Sequence, residues 1–286
     1  MPILPKRTNY TMNLNDKLKN IDELQKFLIE NPIEENFNKS IEADFNLHYT
    51  HDSTAIEGNT LTLIETQVVL EGITIGGKTI REHLEIINHA EAIEYIYDLV
   101  KNNIPLSENV ICDIHSIILN NINKSEAGKY RKLLVRVGDF TPPQPYLLKP
   151  QMEEFIRTYE KLDTHPILKA SFVHLEFVRI HPFIDGNGRT ARLLMNLELL
   201  KNNYPAINIS FEKRAQYYQA IKEYSKLNNG THQFDNLVAD YMLERLQEKK
   251  AMWEYDNNIE NSDKSNIDTP NDDTPPSQGQ GTRHKK

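Results

Sequence analysis

The sequence predicts an all-α chain, and three observations carry the prediction. Apolar residues recur at spacings of three and four in stretch after stretch, as helices with one buried face require. Helix starts and stops punctuate those stretches, as at the capping box Thr62-x-x-Glu65 and the break at Asn31-Pro32. Strand character is confined to one run, Leu133 to Val137.

Residues 1 to 14, polar with early prolines, read as an arm. Leu18, Ile21, Leu24, Phe27 and Leu28 then mark a first helix. A second run, about Ile33 to Tyr49, carries Phe37, Ile41 and Phe45 four apart and is expected to end near His51-Asp52. In the following Ser53-Thr-Ala-Ile-Glu57-Gly58-Asn59, Ser53 and Glu57 share one face of a short helix that Gly58 can terminate. Read from the pattern alone, it is a capped helical turn. The capping-box helix from Thr62 reaches about Leu70, and glycines at 72, 76 and 77 interrupt. Ile80 to Val100 is a long helix with a wide apolar stripe, in which His83 and His89 lack metal-ligand spacing. Polar Asn102 to Pro105 marks a boundary, and Val110, Ile111, Ile114, Ile117 and Ile118 define the next helix. Leu133 to Val137 with the turn Gly138-Asp139-Phe140-Thr141-Pro142-Pro143 reads either as a short β-hairpin or as an irregular surface loop. Helices resume at Gln151 to Leu162 and at Pro166 to Ile180. Others are expected at Arg214 to Leu227, bearing the adjacent Tyr217 and Tyr218, and at about Phe234 to Leu246. Adjacent tyrosines point about a quarter-turn apart on a helix, so at most one faces a given pocket squarely. From about Trp253 the chain is rich in Asn, Asp, Ser, Pro and Gly, and a disordered tail is expected.

Length and composition set outer bounds. With 286 residues and 38% hydrophobic content, one large core or two small ones can form. A net charge of -8 argues against a general nucleic-acid or anionic-membrane binder. The single cysteine, Cys112, excludes an internal disulfide and fits a reducing compartment. No stretch is long and apolar enough to span a bilayer, and the N-terminus lacks a continuous apolar segment. A soluble cytoplasmic protein is expected.

The chemistry concentrates in His181-Pro-Phe183-Ile-Asp185-Gly186-Asn187-Gly188-Arg189-Thr190-Ala191-Arg192, followed by the apolar Leu193 to Leu197. This is a loop leading into a buried helix. Gly186 and Gly188 let backbone N–H groups turn towards a bound group, and the helix start adds unpaired donors and a positive dipole end, so the place suits a phosphate. Arg189 and Arg192, three apart, can both lean over that N-terminus. Asp185 offers a hard oxygen ligand for the magnesium that normally accompanies a polyphosphate. His181 is the group there that can take a proton near neutrality. A transition-metal site of His174, His181 and Asp185 lacks an evident fourth ligand, and His174 reads as a packed helix residue.

That run resembles the signature of Fic proteins, with every usually fixed position filled. The resemblance covers roughly residues 50 to 250. It implies a Fic-type helical core at 105–250 with a short β-hairpin flap, an N-terminal helical region at 1–104, and the polar tail at 251–286. The implied activity is transfer of AMP from ATP to a target-protein hydroxyl of Ser, Thr or Tyr. Carried over by position, His181 is the general base and Asp185 the magnesium ligand. Gly186, Asn187 and Gly188 are the anion cradle, and Arg189 and Arg192 the phosphate clamps, with Thr190 and Ala191 in the same ATP-binding run. Phe183 is a core anchor. Flap residues Val137, Gly138, Asp139 and Phe140 border the nucleotide, as do Tyr217 and Tyr218 on its adenine side. A polar position that often holds asparagine in the family is Ser225 here. Ser53-x-x-x-Glu57-Gly58 resembles the inhibitory motif of class II members, near 52–58, in which the glutamate reaches the second arginine and blocks the γ-phosphate position. The class II resemblance also implies a homodimer. Two alternatives stand beside AMP transfer: removal of AMP or transfer of another phosphate-containing group by the same site, and a non-catalytic regulatory binding module.

Overall fold

The computed structural model describes residues 12–226 and 232–267. Among these described residues ten α-helices run in order: α1 Leu14–Glu30, α2 Glu35–Ile56, α3 Leu63–Leu70, α4 Ile80–Lys101, α5 Glu108–Ile118, α6 Leu148–Lys161, α7 Pro166–Ile180, α8 Asn187–Lys201, α9 Arg214–Lys226 and α10 His232–Ile267. Local chemistry sets several starts. Asn13 caps α1 by accepting from the Asp16 N–H, and full capping boxes open α3 at Thr62–Glu65 and α4 at Thr79–Glu82. No helix among the described residues is long and apolar enough to cross a membrane.

The antiparallel pair α7 and α8 is the centre. Residues of α8 are buried nearly all round, the polar Arg189, Arg192, Asn196 and Glu198 included, so the helix is enclosed on every side. Leu193, Leu194 and Leu197 join α4, α5 and α6 in one core, while Met195 and Leu199 join α1, α9 and α10 in another. The signature helix is therefore the wall shared by two cores, and its N-terminus is held rigidly. Phe45 and Tyr49 of α2 enter the first core and Ile56 enters the second, so α2 clamps across both. Cys112 sits partly buried on α5 against the first core.

Three expectations are corrected. The second helix does not stop near His51-Asp52: α2 continues to Ile56, so Ser53 lies in its last turn rather than in a separate short helix. Nothing between Tyr49 and Ser53 breaks a helix, and the Thr54 hydroxyl donates back to the Thr50 carbonyl at 2.8 Å. The chain leaves at Gly58, whose φ of +101° glycine alone adopts cheaply. Next, the flap forms no β-hairpin. Its pairing reduces to one antiparallel bridge, with Val137 N–H to Phe140 carbonyl at 2.9 Å and the reverse bond at 3.0 Å. Leu133 and Leu134 face solvent, so no apolar face pins a strand register there. Finally, α10 does not end near Leu246 but runs to Ile267, taking in residues 251–267 of the expected tail. Packing outweighs polar composition at that point: Trp253 meets Phe27 edge-on at 5.0 Å, and Lys249 pairs with Glu42 at 2.6 Å. Residues 268–286 of that tail lie outside the described residues.

Candidate active site

The chain leaves α7 at His181, which caps the helix in the left-handed region at φ +51° with its N–H on the Phe177 carbonyl at 2.9 Å. That turn lifts the imidazole off the helix. Burial, helped by the nearby Arg131 guanidinium, pushes its pKa down to about 4, so it is neutral at physiological pH and able to accept a proton. Arg131 is a residue that the sequence pattern did not single out. Its side chain donates to the carbonyls of His181 at 2.8 Å, Leu133 at 2.9 Å and Pro143 at 2.7 Å, which fastens the base of the flap to the histidine loop. A lone arginine in a loop carries no sequence signal for three long-range acceptors.

Downstream, the loop is clasped from inside. The Asn187 side chain accepts from the Phe183 N–H at 3.0 Å and donates to the Phe183 carbonyl at 2.9 Å. Its amide, expected in the anion cradle, is thus spent on the loop's own backbone. Phe183 is fully buried, as expected of an anchor, and stacks on His115 of α5 at 3.5 Å between centroids. His115 was also missed, because a histidine on an apolar helix face reads as core. Its Nδ1 accepts from the Gly128 N–H at 3.0 Å, which leaves Nε2–H to donate to the Asp185 carbonyl at 2.9 Å. Burial lowers its pKa to about 4 and so keeps that neutral tautomer. Gly186, at φ +76°, passes so close to this ring that a Cβ would sit 3.3 Å from it.

The N-terminus of α8 follows. Thr190 and Ala191, expected beside the nucleotide, are fully buried, with Ala191 in the first core. The helix period turns them inward when Arg189 and Arg192 face the cradle. Arg189 is 2% exposed and reaches Asp185 Oδ1 at 3.3 Å. Burial pulls the Asp185 carboxyl upward, but Arg189 and the hydrogen bond from Arg81 outweigh it and hold its pKa below the ordinary value. Arg192 is 1% exposed, and each of its three nitrogens donates. Nε donates to Ser53 Oγ at 3.0 Å, and Nη2 to the Ser53 carbonyl at 2.7 Å and to Glu57 Oε1 at 2.8 Å. Nη1 donates to Tyr217 Oη at 3.2 Å. The Glu57 carboxylate lies over Gly188, where a Cβ on residue 188 would collide with it. An anion therefore already sits on the cradle, and it belongs to the chain itself.

The two tyrosines divide as the quarter-turn rule allows. Tyr217 is 1% exposed, and its hydroxyl serves Arg192 and His174 Nε2 at 2.9 Å, so it is an internal strut and not an adenine border. Tyr218 is half-exposed and donates to the Ile56 carbonyl at 3.1 Å. With Val137, Gly138, Asp139 and Phe140 it lines a cavity of about 540 Å³. That cavity is mostly apolar and large enough for a nucleobase. Asp139 reaches across it to Lys222 at 3.1 Å. The side chain of Ser225 lies outside the described residues.

A half-exposed carboxylate beside a phosphate cradle suits magnesium, which takes one or two protein carboxylates and completes its shell with phosphate oxygens and water. Asp185 fits that donor set.

Residues 105–199 match the Fic/DOC family. Over 178 residues it is 38% identical to protein adenylyltransferase Fic of Drosophila grimshawi, covering 61% of this chain and 37% of that protein. Over 179 residues it is 40% identical to protein adenylyltransferase fic-1 of Caenorhabditis briggsae, covering 60% and 35%. The chain thus spans little more than a third of the length of these curated relatives. Among solved structures, a Fic-1 fragment of Caenorhabditis elegans superposes with a TM-score of 0.77 at 28% identity, over 85% of this chain and 73% of that one. The Fic match begins just ahead of α5 and ends within α8, so His115, His181 and both arginines fall inside it, while Ser53 and Glu57 reach it from α2.

Proposed function

We propose that this chain is a protein adenylyltransferase, moving AMP from ATP to a Ser, Thr or Tyr hydroxyl of a target protein. The observation that carries the reading is the meeting of a neutral, buried-edge His181 with the Gly186–Gly188 backbone and two buried arginines at one helix N-terminus. The naming of its 38–40% identical relatives as protein adenylyltransferases supports it. In this reading the acceptor hydroxyl oxygen bonds to the α-phosphorus and its proton passes to His181. The bond to the β-phosphate oxygen breaks, and pyrophosphate leaves into the cradle of N–H groups, Arg189 and Arg192. Asp185 would hold magnesium, which when bound neutralises phosphate charge. Tyr218 and the flap residues 137–140 would border the base. The catalytic unit would be 105–250 with 1–104 as its regulatory helical part, in a cytoplasmic setting that the lone cysteine suits.

Glu57 would be the inhibitor: its carboxylate holds the Arg192 fork that a γ-phosphate needs. A second reading, removal of AMP, is favoured by the same contact, since a carboxylate on the cradle near His181 can orient a water. A mere binding module is disfavoured by the intact base, carboxylate and arginine pair. Incubation of the protein with labelled ATP, magnesium and a lysate, followed by mass spectrometry, tests the reading. AMP on target side chains is expected, and its absence with a folded Glu57→Gly variant overturns it. Sedimentation of the same protein tests the homodimer.

A further inference from the structure

Four charges close into a ring beside the cradle. Arg81, in the first turn of α4, donates from Nη2 to Asp185 Oδ2 at 2.5 Å and from Nε to Glu85 Oε1 at 3.0 Å. Arg189 donates to Asp185 Oδ1 at 3.3 Å, and its Nη1 lies 3.6 Å from that same Glu85 oxygen. Two cations and two carboxylates cancel. The members differ in freedom: the side chains of Arg189 and Glu85 are 2% and 11% exposed, those of Arg81 and Asp185 56% and 41%. The buried half is fixed between α4 and α8, and the exposed half is the side that can open.

The two oxygens of Asp185 are also unlike. Oδ1 is committed to the Gly186 N–H at 2.6 Å and to Arg189. Oδ2 is the oxygen left for a cation, and the Arg81 guanidinium holds it. A guanidinium there supplies the positive charge that a divalent ion would bring, and the two repel each other at one oxygen. We propose that Arg81 is a displaceable counter-ion of the Asp185 cation site: its guanidinium competes with a divalent ion for Oδ2 and so sets the metal concentration that the site needs. This rests on the reading of Asp185 as the magnesium ligand. A rival role, in which Arg81 merely orients the carboxylate for the metal, has the opposite sign, because its removal would then weaken metal binding.

The test titrates Mn2+ into the full-length protein, with and without saturating AMP-PNP, and reads binding from water-proton relaxation. An exposed pair of this kind is worth up to about 1 kcal/mol, so its removal should lower the half-saturating Mn2+ concentration about 2- to 6-fold. Arg81→Ala and Arg81→Gln are both expected to show that shift, whereas Arg81→Lys, which keeps the charge, should stay near wild type. Asp185→Asn should abolish the site. Unchanged or weaker Mn2+ binding in folded Arg81→Ala and Arg81→Gln, with Asp185→Asn still abolishing it, overturns the counter-ion and leaves the metal ligand standing. Unchanged binding in Asp185→Asn overturns both.

Discussion

Glu57→Gly should raise AMP transfer, including self-modification, well above wild type. Glu57 Oε1 lies 2.8 Å from Arg192 Nη2, with the arginine 1% and the glutamate side chain 32% exposed. Such a contact falls between an exposed pair, worth at most about 1 kcal/mol, and a buried one, whose breaking costs about 3–5 kcal/mol. A nucleotide phosphate must displace it to reach Arg192 and the Gly188 backbone. A coupling of about 1–3 kcal/mol corresponds to roughly 5- to 150-fold in affinity, and misalignment of a bound α-phosphate adds to the loss in rate. The variant should therefore bind AMP-PNP tighter by a factor in that range by calorimetry and label faster with radioactive ATP. Arg192→Ala must not copy it, because the same fork serves the substrate, and loss of that buried arginine also strands Ser53 and Tyr217. A folded Glu57→Gly protein that binds AMP-PNP no tighter and labels no faster refutes autoinhibition through α2. If it loses only the stripping of AMP from a modified target, Glu57 acts as the water-orienting group of the reverse reaction.

His181→Ala should lose transfer by about 10²-fold or more while retaining AMP-PNP binding, measured by labelling and calorimetry side by side. With the His181 pKa near 4, transfer by the Glu57→Gly protein should be flat from pH 8 to 6 and fall only as pH drops towards 4, when the base takes up its proton. Stability should fall over a related window. Burial pushes His115 and His181 down to about 4 when folded and holds His89 and His174 well below the ordinary imidazole value, so below pH 6.5 the unfolded chain binds protons that the folded chain cannot. Each contributes a loss of about 1.4 kcal/mol per pH unit down to its folded value, readable by urea denaturation between pH 7 and 5. His115→Ala removes the Asp185 and Gly128 hydrogen bonds and the Phe183 stack, and should cost about 2–4 kcal/mol while lowering the transfer rate more than AMP-PNP affinity.

The sequence by itself determined which stretches are helical and where the candidate site lies. Spacings of three and four and the capping box at Thr62–Glu65 name the elements, and one run from His181 to Arg192 holds an imidazole, a carboxylate, glycines and arginines within a loop and one helix turn. Even the inward turn of Thr190 and Ala191 follows from the helix period once the arginines are given a direction. Tertiary structure decided the rest, where partners are far apart in the chain. Ser53 and Glu57 meet Arg192 across more than 130 residues because α2 is one unbroken helix that packs on both cores. Tyr217 went to the interior and Tyr218 to the cavity, a choice set by where α9 lies against α7, which a pattern on one helix does not contain. His115, Arg131 and Arg81 bear no local mark, yet each gives one side-chain hydrogen bond to the signature loop. The flap lost its predicted pairing and α10 gained turns beyond its predicted end for one reason: a strand or a polar helix is stable only where a neighbour covers it, and the neighbour is supplied by the fold.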